Sequence, residues 1–103
     1  MKQQTIKMLK AISDETRLSV IILLNSVGER CVSDILTSIK VEPTLMSHHL
    51  SVLREMKIVK SKRVSKSIFY NINPDVISGN SIQIGEGITV TIPGVLPKKQ
   101  RVR

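Results

Sequence analysis

The sequence predicts an α+β fold, with helices in its first half and paired strands in its second. Three observations predict it. Apolar residues recur at helical spacing up to about Met56, and beyond it β-branched residues cluster in short runs. The stretch "PTLMSHHLSVLREM", residues 43–56, sorts on a helical wheel into two arcs. Leu45, Met46, His49, Leu50, Val52, Leu53 and Met56 make the apolar arc, and Thr44, Ser47, His48, Ser51, Arg54 and Glu55 the polar one. Finally, "SIQIGEGITVTIPG" alternates apolar and polar residues on both sides of Gly85-Glu86-Gly87, as a hairpin does.

The elements follow in order. Residues 5–12 carry Ile6, Leu9 and Ile12 at helical spacing. In "SDETRLSVIILL", Ser13 is the expected N-cap, and Asp14 and Glu15 suit the positive end of a helix dipole. Leu18, Ile21, Ile22 and Leu24 supply its apolar stripe, and Asn25 and Gly28 are expected to end it. "RCVSDILTSIK" reads as a short extended piece, then a short helix capped by Ser33. "KVEP" is a tight connection, and Pro43 opens the next helix at its first position. Two short helices joined by a turn, the second with a polar face, make a helix-turn-helix. "IVKSKRV" and "SIFYNI" then pair as a basic hairpin with its tip near residues 64–67. Helices followed by such a hairpin describe a winged helix-turn-helix. Asn73-Pro74 marks a break before the β-rich tail. The expected organisation is a winged helix-turn-helix domain at residues 1–76, a β-hairpin tail at 77–97 that could hold two chains together, and a basic flexible terminus at 98–103.

Composition narrows the function. The chain has 103 residues, enough for one small domain, and is 41% hydrophobic. Phe69 and Tyr70 are its only aromatic residues, so Ile, Leu, Val and Met must build the core. Sixteen basic residues against 8 acidic ones give a net charge of +8, which suggests a polyanionic partner, nucleic acid before membrane. The lone Cys31 excludes an intrachain disulfide and fits a reducing compartment. The longest apolar run, "VIILL", is too short to span a bilayer, and "MKQQTIKMLK" lacks the apolar core of a signal peptide. A cytoplasmic protein without a membrane partner is expected. Joining Cys31 to a histidine as a nucleophile–base pair would make an enzyme, but no oxyanion device or phosphate loop accompanies it, so none is expected.

The adjacent histidines look like a metal pair but cannot act as one on a helix. Each residue turns by about 100°, so His48 and His49 point to different faces. His49 belongs to the packed face, and His48 looks outward among small hydroxyls.

The stretches "LKAISDETRLSVIILL", "ERCVSDI", "MSHHLSVLREMKIV" and "KSIFYNINP" resemble, in order and spacing, the ArsR family of winged-helix repressors over about residues 6–74. The resemblance implies a homodimer that binds a partly palindromic operator in double-stranded DNA and represses transcription, often until a metal, metalloid or oxidant releases it. By that match Thr44, Ser47 and His48 hold base-reading positions of the recognition helix, and His49 and Leu50 hold positions that pack. Ser51 and Arg54 share the polar face. The physics agrees: a helix fits the major groove, and hydroxyls and an imidazole can donate or accept at base edges. They read less selectively than a bidentate Arg or Asn, which leaves a share of specificity to DNA shape. Arg54, Lys57, Lys60, Lys62, Arg63 and Lys66 crowd the helix end and wing with positive charge suited to phosphates. Arg63 and Lys66, at the wing tip, are placed for an adjacent minor groove. A single lysine is more often a solvated charge, and Lys57 or Lys60 is read that way.

Sensor residues are incomplete. Metalloid-sensing members of the family carry Cys-x-Cys where this chain has Cys31 and Ser33, and zinc-sensing members use the positions of Cys31 and Asp34. Zinc needs about four ligands, and residues 1–12 contain no Cys, His, Asp or Glu to complete the set. No metal or other cofactor is expected, and Cys31 reads as a small packed residue or a vestigial redox sensor limited to an adduct or an intermolecular disulfide. Family members usually close the dimer with a last helix. Here a β-hairpin extension stands in its place. "GNSIQIGEGITVTIPGVLPKKQR" resembles the central strands of the carbon storage regulator family of RNA-binding dimers, without that family's first strand or RNA-contacting end. An RNA-binding or protein-binding adaptor acting through the tail is therefore the alternative to a DNA-binding regulator.

Overall fold

A computed structural model describes residues 1–97 of the protein. The basic terminus expected at 98–103 lies outside the described residues. The chain runs α1 (Gln3–Ile12), α2 (Glu15–Val27), β1 (Arg30–Cys31), α3 (Val32–Ser38), α4 (Pro43–Glu55), β2 (Val59–Val64), β3 (Ser67–Ile72), β4 (Ile77–Ser78), β5 (Ser81–Gly85) and β6 (Ile88–Thr91).

Helix α2 is the centre of the molecule. Six consecutive residues, Ser19 to Leu24, are buried, so it is covered on all sides rather than along one stripe. Met46, Leu50 and Leu53 of α4, Ile35 of α3, and Ile58 and Val59 at the start of the wing are fully or almost fully buried in the same core. On α1 the buried face is Thr5, Met8, Ala11 and Ile12, whereas Ile6 and Leu9 of the expected stripe are only half-buried. The stripe is rotated because the C-terminal sheet covers the Thr5–Met8 side.

Three local expectations need correction. Ser13 does not cap α2: Asp14 does, accepting from the Arg17 N–H at 2.9 Å. The chain leaves α1 at Ser13, whose hydroxyl donates back to the Lys10 carbonyl at 2.9 Å, so the only extended residue left to cap α2 is Asp14. Ser33 does not cap α3 either. Cys31 is held extended by its pairing with Phe69, the helix starts on the next residue, and Ser33 already lies inside it. Asn25 does not end α2. It sits within the helix and its side-chain amide donates to the Gly79 carbonyl at 2.9 Å, while Gly28, at φ 85°, closes the helix.

Two three-stranded antiparallel sheets follow. The first has the order β1-β3-β2, with Arg30 opposite Tyr70 and the wing hairpin in register from Val59–Ile72 to Val64–Ser67. Its tip is the two-residue turn Ser65-Lys66, where Ser65 takes φ 60°. Asn73 then fastens the break: its backbone donates to Ile58, its side-chain amide to Lys57 (both 2.9 Å), and its carboxamide oxygen accepts from Asp75. The second sheet has the order β4-β5-β6, adding to the expected hairpin a short strand that the sequence pattern did not reveal. Its inner face buries Ile77, Ile82, Ile84 and Ile92, and Gln83, Thr89 and Thr91 face out.

This sheet lies on α1 of its own chain. Gly85 takes φ 132°, a conformation strained for any side chain, and a Cβ there would also crowd the Thr5 hydroxyl at 3.0 Å. Glu86, in the turn, accepts from the Lys2 N–H at 2.9 Å and supplies the cap that α1 lacks from its own side chains. The Thr5 hydroxyl bonded to it, and then the Lys2 N–H, hold the Glu86 carboxyl below the usual carboxylate range.

Candidate nucleic-acid interface

Helix α4 is built to present one polar side. Pro43 occupies its first turn, and the Glu42 side chain caps it by accepting from the Leu45 N–H at 3.1 Å. Glu42, read from sequence only as part of a connection, is thus a cap; its position just before Pro43 was the available signal. Thr44, Ser47, His48 and Arg54 are exposed, and Ser51 is half-buried. Leu45, placed on the apolar arc by the helical wheel, is 47% exposed beside Thr44. It sits in the first turn, before the helix runs under the core.

The wing stands over the same side. Cys31 and Ser33 at the start of α3, Ser47 on α4, and Lys66 and Ile68 on the wing line one open groove. Ser47 and Lys66 are thus brought together from opposite ends of the helix-and-wing unit. At the other end of α4, Arg54, Lys57 and Lys60 line a second shallow hollow, so these three charges lie close together. Arg63 and Lys66 are exposed at the tip. Lys62 is exposed but paired with Glu29 at 3.3 Å, an ion pair that solvent screening makes weak enough to open for a phosphate.

Cys31 is half-buried with its sulfur 3.2 Å from the Ser33 hydroxyl, and Asp34 is exposed in the first turn of α3. Among the described residues no three His, Cys, Asp or Glu side chains gather in a group that could hold a metal ion.

The two histidines part as their spacing requires. Their ring centroids are 6.0 Å apart with planes tilted by 54°, and His49 is 6% exposed while His48 faces solvent. His49 has a partner that sequence reasoning missed. Arg17 Nη1 lies 3.0 Å from its Nδ1, and the same guanidinium donates through Nε to the Ala11 carbonyl at 2.7 Å. No spacing rule links residues 32 apart, so only the packing of α2 on α4 reveals the contact. Burial, and then the Arg17 charge, push the His49 imidazole below its ordinary value, against an opposing pull from Asp14.

Comparison with known proteins adds four findings. The sequence profile of bacterial regulatory proteins of the arsR family matches residues 14–61. The chain is 34% identical over 71 residues to the arsenical resistance operon repressor of Escherichia coli, covering 69% of this chain and 61% of that protein. It is 32% identical over 68 residues to the transcriptional repressor SdpR of Bacillus subtilis, covering 66% of this chain and 74% of that repressor. Among solved structures, it resembles the homodimeric winged helix-turn-helix DNA-binding domain Mb0332 of Mycobacterium bovis at TM-score 0.63 and 28% identity, over 70% of this chain and 66% of that one. The matched span thus amounts to about three fifths of the length of the Escherichia coli repressor. No helix among the described residues is long and apolar enough to cross a membrane.

Proposed function

Because the chain belongs to the arsR family of bacterial regulatory proteins, we propose that it is a sequence-specific DNA-binding regulator, a repressor that acts as a homodimer on a partly palindromic operator. The observation that carries the reading is the shared groove: the exposed polar start of α4 and the cationic wing tip face one side of the molecule. In this arrangement Thr44, Ser47 and His48 read base edges in a major groove, with Ser51 and Arg54 along the same face. Lys62, Arg63 and Lys66 neutralise phosphates beside the helix or enter the next minor groove. A two-fold axis sets two such helices one DNA turn apart, which doubles the contacts.

The homodimeric Mycobacterium bovis domain supports the dimer. The extension at residues 77–97 is assigned to it as an accessory, since it lies on α1, a helix whose Ile6 and Leu9 stay half-buried in the single chain. The adaptor alternative has less support. The apolar face of the extension is covered by its own chain, and β5 and β6 carry no basic or aromatic residue on which RNA could be held.

Titration of the full chain against duplexes selected from a random pool, and against structured RNA at matched salt, tests the proposal. Duplex DNA should be preferred with a defined sequence. His48→Ala should lose about 1–3 kcal/mol of discrimination between the selected and scrambled duplexes. Tighter binding to RNA, or duplex binding without sequence preference, would overturn it.

A further inference from the structure

The Arg17 guanidinium joins three helices. It belongs to α2, it donates to the carbonyls of Ala11 at 2.7 Å and Lys10 at 3.4 Å at the end of α1, and it reaches His49 Nδ1 on α4. Arginine has no acceptor, so this contact requires a lone pair on Nδ1, which means a neutral ring with its proton on Nε2. A second proton would go to Nδ1 and set two donors, both charged, face to face. A different acceptor lies nearby: Asp14 Oδ1 is 3.9 Å from the same nitrogen. The groups that act on the ring are Arg17 and Asp14 from α2 and His48 from α4, while α1 contributes the two carbonyls that hold Arg17.

We propose that Arg17 is the positioning residue of the recognition helix, tying α4 through the His49 ring to the end of α1, and that a proton on that ring transfers it to Asp14 and weakens DNA binding. This rests on the DNA-binding reading above and adds to it a pH-dependent control seated behind the interface rather than in it. Burial acts in the same sense, since it keeps the ring neutral at pH 7 and leaves the tie intact there. The predicted direction is opposite to the ordinary one. Acidification makes a protein surface more positive and, by itself, strengthens binding to phosphates.

The test measures the affinity of the full chain for a duplex selected by that chain at pH 8, from pH 8 to 5.5 at constant salt, with thermal melts confirming a folded protein at each pH. Wild-type affinity should fall on acidification, approaching tenfold per pH unit below the folded pKa of His49, as one linked proton requires. His49→Asn places an acceptor near the Nδ1 position that cannot take the proton, and its affinity should not fall with pH. Arg17→Met should bind on the order of tenfold more weakly at pH 8, with the acid fall gone. If that variant does not fold, Arg17→Lys, which keeps the charge but lacks the fork that reaches α1 and α4 together, should show the weaker binding instead. Wild-type affinity that stays level or rises on acidification, or an acid fall preserved in His49→Asn, overturns the proposal. If no duplex is bound at pH 8, the DNA-binding reading fails by itself. The positioning contact is then decided by the nitrogen shifts of the His49 ring, where the Nε2–H tautomer at pH 8 upholds it and an Nδ1–H or charged ring rejects it.

Discussion

Replacing Ile82 with alanine tests whether the C-terminal sheet is part of the folded unit. Ile82 lies on β5 with no exposed surface, opposite Ile77 on β4 and Val90 on β6, within the apolar layer that Ile84 and Ile92 share. Truncating a buried isoleucine to alanine costs about 2–5 kcal/mol, the larger values arising where the surroundings cannot close on the cavity. Here β5 is paired on both sides, and the close Gly85–Thr5 approach pins it to α1, so little collapse is available and about 3 kcal/mol is expected. In a domain of this size each kcal/mol shifts the melting temperature by about 4–8 °C, so the variant should melt roughly 12–24 °C lower. Thermal and urea unfolding followed by circular dichroism measure it, with Thr89→Ala on the exposed face as a control expected within about 0.5 kcal/mol of wild type. A single transition with an unchanged urea slope should accompany the loss. An Ile82→Ala protein melting within a couple of degrees of wild type, or melting in two steps of which only one moves, would show that the sheet is not integral to the core.

Arg63→Ala and Lys66→Ala should each remove about one unit from the slope of log affinity against log salt and weaken selected and scrambled duplexes alike; an unchanged slope would place both side chains in solvent. Stability should also depend on pH through His49. Its folded pKa is lowered, by burial first and Arg17 next, so the unfolded chain binds the proton more readily. The stabilisation is full above the unfolded value of about 6.5 and is lost as pH falls through the lower folded value. Further loss follows in the carboxylate range, where Asp14 and Glu86 are held low. Burial raises Asp14, but the Arg17 N–H and the His49 and Arg17 charges outweigh it, and the Thr5 hydroxyl acts first on Glu86. Denaturant midpoints measured from pH 8 to 5 should fall for wild type and much less for His49→Asn, and equal falls would assign the acid sensitivity elsewhere.

What the sequence by itself determined is what depends on near neighbours along the chain. The period of 3.6 residues separates His48 from His49 and puts Thr44, Ser47 and His48 on one side of α4, because a helix admits no other arrangement. The β-rich runs "IVKSKRV" and "SIFYNI" marked the wing hairpin with its tip near residues 64–67, and alternation around Gly85-Glu86-Gly87 marked the β5–β6 hairpin. Tertiary structure decided the rest, since it depends on which surfaces meet. Ser13 and Asp14 could both cap a helix, and the exit of α1 at Ser13 chose between them. Cys31 and Ser33 were separated as start and interior of α3 by a strand pair formed with Phe69, far along the chain. Helix α1 turned its Thr5–Met8 side inward because a sheet from the other end of the protein lies there, with Glu86 capping the Lys2 N–H across 84 residues. The tie from Arg17 to His49 is of the same kind. A guanidinium has reach in every direction, and only the packing of α2 between α1 and α4 selects the imidazole as its partner.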